Sequence, residues 1–111
     1  MPSVPATSAR VSKIPHPDVD AIDLATVMRT VGEPVRLQIV RTLGDGRERS
    51  CNDLQALLGL PASTGSYHLR LLREAGVTRT RAERTQRFVS LRRDDLERRF
   101  PGLVDVLTRG A

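Results

Sequence analysis

Aromatic residues and cysteine are scarce in this sequence, and each scarcity limits what the chain can be. Only Tyr67, Phe88 and Phe100 are aromatic among the 111 residues, and tryptophan is absent. The core must therefore consist mostly of Leu, Val, Ile and Ala, and so modest a core is often completed by a second subunit. Cys51 is the one cysteine, which excludes an intrachain disulfide.

Long apolar runs are also missing. The sequence has no stretch of about 18 apolar residues, the length that a membrane-spanning helix needs. Its first residues lack the apolar segment of a signal peptide. We therefore expect a cytoplasmic protein of one domain that makes no membrane contact.

Positive charge, by contrast, is concentrated in one segment. Residues 63–93 carry eight arginines and two glutamates, whereas residues 1–62 carry seven basic and seven acidic side chains. A domain with its cations on one segment presents a positive face, and the expected partner of such a face is a polyanion. The cations are arginines except Lys13, and arginine forms paired hydrogen bonds with phosphate and with guanine edges.

Apolar residues at helical spacing predict four helices before residue 76. Residues 1–17 contain four prolines and no apolar period, so we expect a disordered arm ahead of a domain over residues 18–111. Caps and breakers set the expected ends of the helices. The predicted helices run from Asp18 or Asp20 to Gly32, from Pro34 to Gly44, from Ser50 to Gly59, and from Ala62 to Ala75.

A hairpin follows the fourth helix. Residues 77–81 and 87–91 alternate in polarity, which predicts two strands joined by residues 82–86. A last helix is expected to begin at Asp94 or Asp95 and to break or restart at Pro101. The order α-α-α-α-β-β-α, mainly α with a small β-hairpin directly after a helix-turn-helix, predicts a winged helix-turn-helix.

The stretch LQALLGLPASTGSYHLRLLREAG, residues 54–76, resembles the helix-turn-helix of the ArsR (SmtB/ArsR) family of small bacterial repressors. GEPVRLQIVRTL, residues 32–43, is similar to the family's second helix, and residues 71–91 are similar to its wing. The resemblance covers about residues 20–100. It implies a homodimeric winged helix joined through its terminal helices. Three features depart from the family pattern: Pro61 at the usual cap, Gly65 at a usual β-branched position, and Glu83-Arg84-Thr85 in place of a glycine-containing wing turn.

The fourth helix and the hairpin supply the predicted DNA contacts. A helix N-terminus offers unpaired N–H groups to phosphate, short hydroxyls and arginine can read base edges, and hairpin arginines can grip the backbone or a minor groove. A merely solvated charged face is the alternative for the arginines. The predicted contact residues are Ser63, Thr64, Ser66, Tyr67, His68, Arg70, Arg73, Arg79, Arg81, Arg84 and Arg87.

Metal sensing has weak support in the sequence. Family members that sense soft metals use a Cys-x-Cys pair, but the corresponding positions here hold Ser50 and Asn52, with Cys51 between them. Others use ligands on the last helix, where this chain has no histidine. His16, Asp18 and Asp20 remain as candidate ligands for Ni, Zn or Co, any of which could be an effector. In the alternative interpretation, Asp18 and Asp20 cap a helix and the His16 imidazole is solvated.

Cys51 has two interpretations as well. Near a helix N-terminus its thiol pKa could be lowered, which would suit a redox sensor, and the alternative is a small half-buried apolar residue. No Gly-rich phosphate loop or catalytic pair supports an enzyme.

The expected function is a sequence-specific transcriptional regulator that binds a palindromic double-stranded DNA operator as a dimer. Repression by blocking a promoter is the default, and activation is left open. The alternative is a winged helix that serves protein assembly, with its fourth helix packed on a partner.

Overall fold

The computed structural model describes residues 14–109, which form six helices and a small antiparallel sheet. The predicted winged helix-turn-helix order is confirmed, with a short extra strand ahead of the third helix. The helices are α1 (Leu24–Val31), α2 (Pro34–Thr42), α3 (Cys51–Leu58), α4 (Ala62–Glu74), α5 (Arg93–Arg99) and α6 (Leu103–Thr108). The strands are β1 (Arg49–Ser50), β2 (Thr78–Glu83) and β3 (Gln86–Leu91), and they lie in the order β1-β3-β2.

Local capping explains where α2 and α3 begin and end. Pro34 occupies the first turn of α2, where its missing N–H costs nothing. The Ser50 hydroxyl accepts a hydrogen bond from the Asp53 N–H at 3.0 Å and caps α3. Gly59 then ends α3 in the left-handed conformation, with φ of 67°. Ser50, Gly59 and Pro34 thus act as the sequence predicted.

The start of α1 differs from the prediction. Asp23, and neither Asp18 nor Asp20, caps this helix, since its carboxylate accepts hydrogen bonds from the Thr26 N–H at 3.0 Å and hydroxyl at 2.9 Å. Asp18 and Asp20 instead flank and enter a 3-10 turn at Val19–Ala21. Arg99 of α5 donates to the carbonyls of Val19 and Asp20, at 3.2 and 2.6 Å, and fixes that turn against the domain.

The core is aliphatic, as the scarcity of aromatic residues predicted. Leu72 of α4, Val40 of α2, Val89 of β3 and Leu96 of α5 are fully buried, whereas both phenylalanines are only half-buried. These four residues belong to one buried cluster, so α4 and the hairpin pack against the same core. The relative placement of α4 and the hairpin is therefore set by packing.

Residues 14–17, which the sequence assigned to the arm, contact the winged domain. Residues 1–13 lie outside the described part, and this contact corrects the predicted boundary of the arm at residue 17. The His16 Nε2 accepts a hydrogen bond from the Thr80 N–H of β2 at 2.9 Å, and the Pro17 carbonyl accepts one from Arg92 at 2.9 Å. Because β2 is an edge strand, its outward N–H groups have no partner within the sheet. His16 accepts the hydrogen bond of one of them, the Thr80 N–H.

Gly65 allows α3 and α4 to approach closely. A Cβ at Gly65 would lie 2.6 Å from the Gln55 Cγ and 2.9 Å from its Cδ, and Gln55 is buried. Where the family pattern has a β-branched residue, this chain has Gly65, and the Gln55 side chain occupies the space that a larger residue would fill.

We expect Gly65→Ala to destabilise the fold although alanine is the better helix former. Overpacking costs about 1–3 kcal/mol, and helix propensity returns at most about 1 kcal/mol. Adding Gln55→Ala should remove the clash, so the double variant should be more stable than the sum of the two single changes predicts. Urea unfolding of the four proteins measures this coupling. Additive effects would show that Gln55 does not dictate the glycine.

Candidate nucleic-acid interface

The outward side of α4 presents a row of polar side chains. Ser63, Thr64, Ser66, Tyr67 and Arg70 are exposed, while Leu69 and Leu72 point into the core. The N-cap is Pro61, which has no side-chain acceptor, so the first-turn N–H groups of α4 keep their capacity to bind an anion. The Arg70 guanidinium lies 5.5 Å from the centre of the Tyr67 ring and 3.7 Å from the Glu74 carboxylate. Both contacts lie at the surface and can yield to a ligand.

His68 lies inside the fold, which corrects its assignment as a DNA contact. Its side chain is buried, and its Nδ1 is 3.1 Å from the Arg36 Nη1 of α2. Arginine can only donate, so Nδ1 accepts and the neutral ring carries its proton on Nε2. Glu33 lies 4.0 Å from the same nitrogen. His68 therefore joins α4 to α2 and does not face a ligand.

The hairpin arginines divide into two pairs. Arg79 lies 3.0 Å from the Asp95 carboxylate, and Arg81 lies across the Phe88 ring while both Glu48 and Glu83 accept its hydrogen bonds. These carboxylates raise the pKa of Arg81 above its ordinary value. Arg81 is thus neutralised by carboxylates of the domain, and Arg79 is paired with a carboxylate that it shares with Arg92.

The second pair is free to meet a ligand. Arg84 and Arg87 are exposed, and neither side chain is hydrogen-bonded or ion-paired with another residue of the described part. Arg84 starts the two-residue turn between β2 and β3 and has φ of 58°, a left-handed conformation that is uncommon for a residue other than glycine. The tip of the wing therefore projects an unneutralised guanidinium.

Arg73 is half-buried, whereas Arg70 is exposed, although both side chains border the same cleft. This cleft of about 290 Å³ lies between α4, the start of α3 and the hairpin, and we call it the wing cleft. The side chains that matter for its chemistry are Cys51, Gln55, Ser66, Arg70, Arg73 and Arg87.

Cys51 differs from the predicted activated thiol. Burial raises its pKa above the ordinary value, and the nearby charges of Arg87 and Arg73 oppose that rise without cancelling it. The neutral thiol is therefore the favoured form near neutral pH, which corrects the expectation of a lowered pKa.

The proposed metal ligands do not come together. His16 uses Nε2 to accept the Thr80 hydrogen bond, while Asp18 and Asp20 are exposed. Within residues 14–109, no three His, Cys, Asp or Glu side chains are grouped as metal ligands. Burial lowers the pKa of His16, aided by Arg92, Arg73 and Arg79, so its imidazole is held neutral for the Thr80 contact.

Sequence reasoning overlooked Arg36, which holds the buried His68, and Gln55, which packs on Gly65. A signal for His68 was present, because Gly65, His68, Leu69 and Leu72 follow the i, i+3, i+4, i+7 spacing of one buried helix face. No comparable signal existed for Arg36, whose role depends on a partner 32 residues away.

Comparison with known proteins agrees with this geometry. A helix-turn-helix domain family model matches residues 31–81. The chain is 37% identical over 84 residues to the uncharacterized HTH-type transcriptional regulator YceK of Bacillus subtilis, covering 75% of this chain and 84% of that one. It is 36% identical over 95 residues to the biofilm growth-associated repressor of Agrobacterium fabrum, covering 84% of this chain and 80% of the relative.

A solved structure has the same fold. The homodimeric winged helix-turn-helix DNA-binding domain Mb0332 of Mycobacterium bovis, described as a possible ArsR-family regulator, superposes with a TM-score of 0.64 at 30% identity, covering 76% of each chain. None of the helices between residues 14 and 109 has the length and apolar character that crossing a membrane requires.

Proposed function

The chain belongs to the ArsR family of winged helix-turn-helix transcriptional regulators, and on that premise we propose that it is a homodimeric repressor of a palindromic operator. In this proposal α4 of each subunit enters a major groove, and the wing tips hold the flanking backbone. The half-sites are then about one helical turn apart, or a multiple of that distance. Its relatives are transcriptional regulators, a class of binding proteins and not of enzymes.

The polar row on α4 is the observation that carries the proposal. Ser63, Thr64, Ser66 and Arg70 project from one helix that the core holds rigidly through Leu69 and Leu72. Hydroxyls and a guanidinium are groups that read base edges. A surface built for protein assembly would need an apolar face there, and Tyr67 is the one large apolar side chain exposed on α4.

The wing contributes backbone contacts through the two arginines that the domain leaves unpaired. Arg84 and Arg87 are exposed, whereas Arg79 and Arg81 are paired with carboxylates. Neutralising a phosphate with a paired arginine requires breaking that pair, so the unpaired arginines should carry most of the electrostatic attraction.

We expect Arg84→Ala to weaken binding to all duplexes alike and to lower the slope of log affinity against log salt by about one unit. Arg81→Ala should lower that slope by less, because Glu48 and Glu83 already neutralise Arg81.

Arg70→Ala should instead cost about 1–3 kcal/mol on the specific site and little on random duplex, as loss of a paired base contact does. Fluorescence anisotropy from low to high salt, on specific and scrambled duplexes, measures all three.

A matched control is Arg98→Ala, which removes an exposed arginine of α5 that belongs neither to the polar row on α4 nor to the hairpin. It should leave both the slope and the specificity as in the unaltered protein. A wild-type protein that binds the specific and scrambled duplexes equally would contradict the proposed function, and equal slopes for Arg84→Ala and the control would contradict the role of the wing.

An effector remains a prediction. The earlier possibilities were a Ni, Zn or Co ion and a redox signal at Cys51. Residues 14–109 supply no ligand set for the metal, since His16 is engaged with Thr80, and the raised pKa of Cys51 does not favour the thiolate that a redox sensor uses.

A further inference from the structure

The wing cleft has an unbalanced charge. Three arginines line it, namely Arg70, Arg73 and Arg87, and no Asp or Glu does. Among residues 14–109, Arg70 alone of the three has a carboxylate within 4 Å, and that pair is exposed to solvent. The N-terminus of α3 adds the positive end of a helix dipole at Cys51 and Asn52, which also line the cleft. The cleft therefore attracts anions.

Arg73 is the unusual member of the group. Its Nε is buried, and no residue of the described part accepts a hydrogen bond from it. The buried Arg92, in contrast, has Asp95 and the Pro17 carbonyl as partners. Leaving a buried charged donor without a partner is costly, because the group loses its hydration and gains nothing in return. Arg73 is half-buried, and its Nε keeps a hydrogen-bond donor that no described residue satisfies.

Cys51 lies in the same cleft, where burial raises the pKa of its thiol and the charges of Arg87 and Arg73 oppose that rise. Gln55 and Ser66, whose side chains carry neutral hydrogen-bond donors, also line the cleft. Arginine matches the geometry of phosphate oxygens in a paired arrangement.

We propose that the wing cleft binds a phosphate group, with the half-buried Arg73 as its anchor and the exposed Arg87 beside it. Two sources offer the same chemistry: a phosphodiester of the DNA backbone, or a free phosphorylated ligand. The backbone source rests on the proposed DNA-binding function, while the free ligand does not. Because Ser66, Arg70 and Arg87 belong both to the cleft and to the DNA-facing surface, a free phosphorylated ligand would compete with DNA.

Cys51 provides a direct readout, since it is the only cysteine and lines the cleft. The rate at which iodoacetamide alkylates its thiol is measured with inorganic phosphate, with chloride at equal ionic strength, and with duplex DNA. Phosphate should slow alkylation of the full chain in a saturable way. Arg73→Gln should weaken the phosphate affinity obtained from this protection by about tenfold or more, as loss of a charged hydrogen bond does. The ratio of rates with and without phosphate removes any change in the thiol pKa that the substitution causes.

Two controls keep the result interpretable. Arg98→Gln removes an exposed arginine outside the cleft and should leave the protection intact. If Arg73→Gln fails to fold, as judged by thermal unfolding, Arg87→Gln takes its place, because the Arg87 side chain is exposed and should not affect folding. Absence of protection by phosphate in the unaltered protein, or equal protection in the variants, would overturn the proposal.

The outcomes with DNA identify the source. Protection by both duplex and phosphate, with both lost in Arg73→Gln, supports a backbone phosphate in the cleft. Protection by phosphate alone, with unchanged DNA affinity in Arg73→Gln, supports a free phosphorylated ligand. A protein that binds duplex but gains no protection from phosphate loses only the cleft proposal, whereas one protected by phosphate that binds no duplex loses only the proposed DNA-binding function.

Discussion

Asp95→Ala is expected to cost about 3–5 kcal/mol of folding free energy, the range for removing one partner of a buried ion pair. The Asp95 Oδ2 accepts a hydrogen bond from the Arg92 Nε at 2.9 Å and lies 2.9 Å from its Nη2, and Arg92 is only 4% exposed. Without the carboxylate the guanidinium stays charged inside the fold, because arginine does not lose its proton. Arg79 loses its partner as well, but it lies at the surface and water replaces the contact.

The effect should depend on pH in a defined direction. Burial tends to raise the pKa of Asp95, but the hydrogen bond and charge of Arg92, with Arg79, outweigh it and lower that pKa below its ordinary value. A carboxyl with a lowered pKa stabilises the fold above the unfolded-state pKa of about 3.9 and loses that effect as the pH falls through the folded-state value. The difference in stability between the unaltered protein and Asp95→Ala should therefore shrink in acid.

Urea unfolding at one fixed protein concentration, at neutral pH and in acid, measures both expectations, since the stability of a dimer depends on concentration. Asp94→Ala is the matched control, because Asp94 is the exposed neighbour in the same first turn of α5. Replacing both members with apolar residues, Arg92→Met with Asp95→Ala, should recover part of the loss. A cost for Asp95→Ala no larger than that for Asp94→Ala would show that the pair does not stabilise the fold.

Short-range signals explain what the sequence predicted well. The hydroxyl of Ser50, the left-handed Gly59 and the first-turn Pro34 act within a few residues of their own positions, so their effects are visible in the sequence. The prediction for the start of α1 was wrong because Asp18, Asp20 and Asp23 have the same side chain and are equivalent as local caps. The choice among them depends on α5, whose Arg99 holds the preceding turn.

The candidate site was less predictable because its charges are sorted by distant partners. Glu48 neutralises Arg81 from 33 residues away, and Asp95 pairs with Arg79 from 16 residues away. The sequence shows eight arginines over residues 63–93, but not which of them the fold already satisfies. Arg84 and Arg87 could be separated from Arg79 and Arg81 only once the tertiary contacts were known.

Introducing a charge on the exposed apolar face of α1 should convert the proposed dimer to monomer and abolish tight operator binding. Leu24 and Met28 lie one turn apart on this helix and are 46% and 49% exposed, although Val27 and Val31 of the same helix are buried. An exposed apolar face opposite a buried one is expected of a helix that packs on a second subunit. On α6, Val106 is 68% exposed, so both terminal helices carry apolar side chains that the monomer does not cover.

Met28→Glu would place a carboxylate in that interface, where an unpaired charge is strongly disfavoured. A dimer on two half-sites gains from an intramolecular second contact, so its loss should weaken operator affinity by about 10²–10⁴-fold. Sedimentation velocity and anisotropy on the palindrome measure the two consequences.

The control for assembly is Leu57→Glu, at an apolar position on α3 that is 61% exposed but lies outside the terminal helices. This variant should sediment as the unaltered protein does. If Met28→Glu sediments as a dimer at the same concentration, the terminal helices do not join the subunits through this face. If it is monomeric yet binds the palindrome undiminished, recognition does not need two copies of α4.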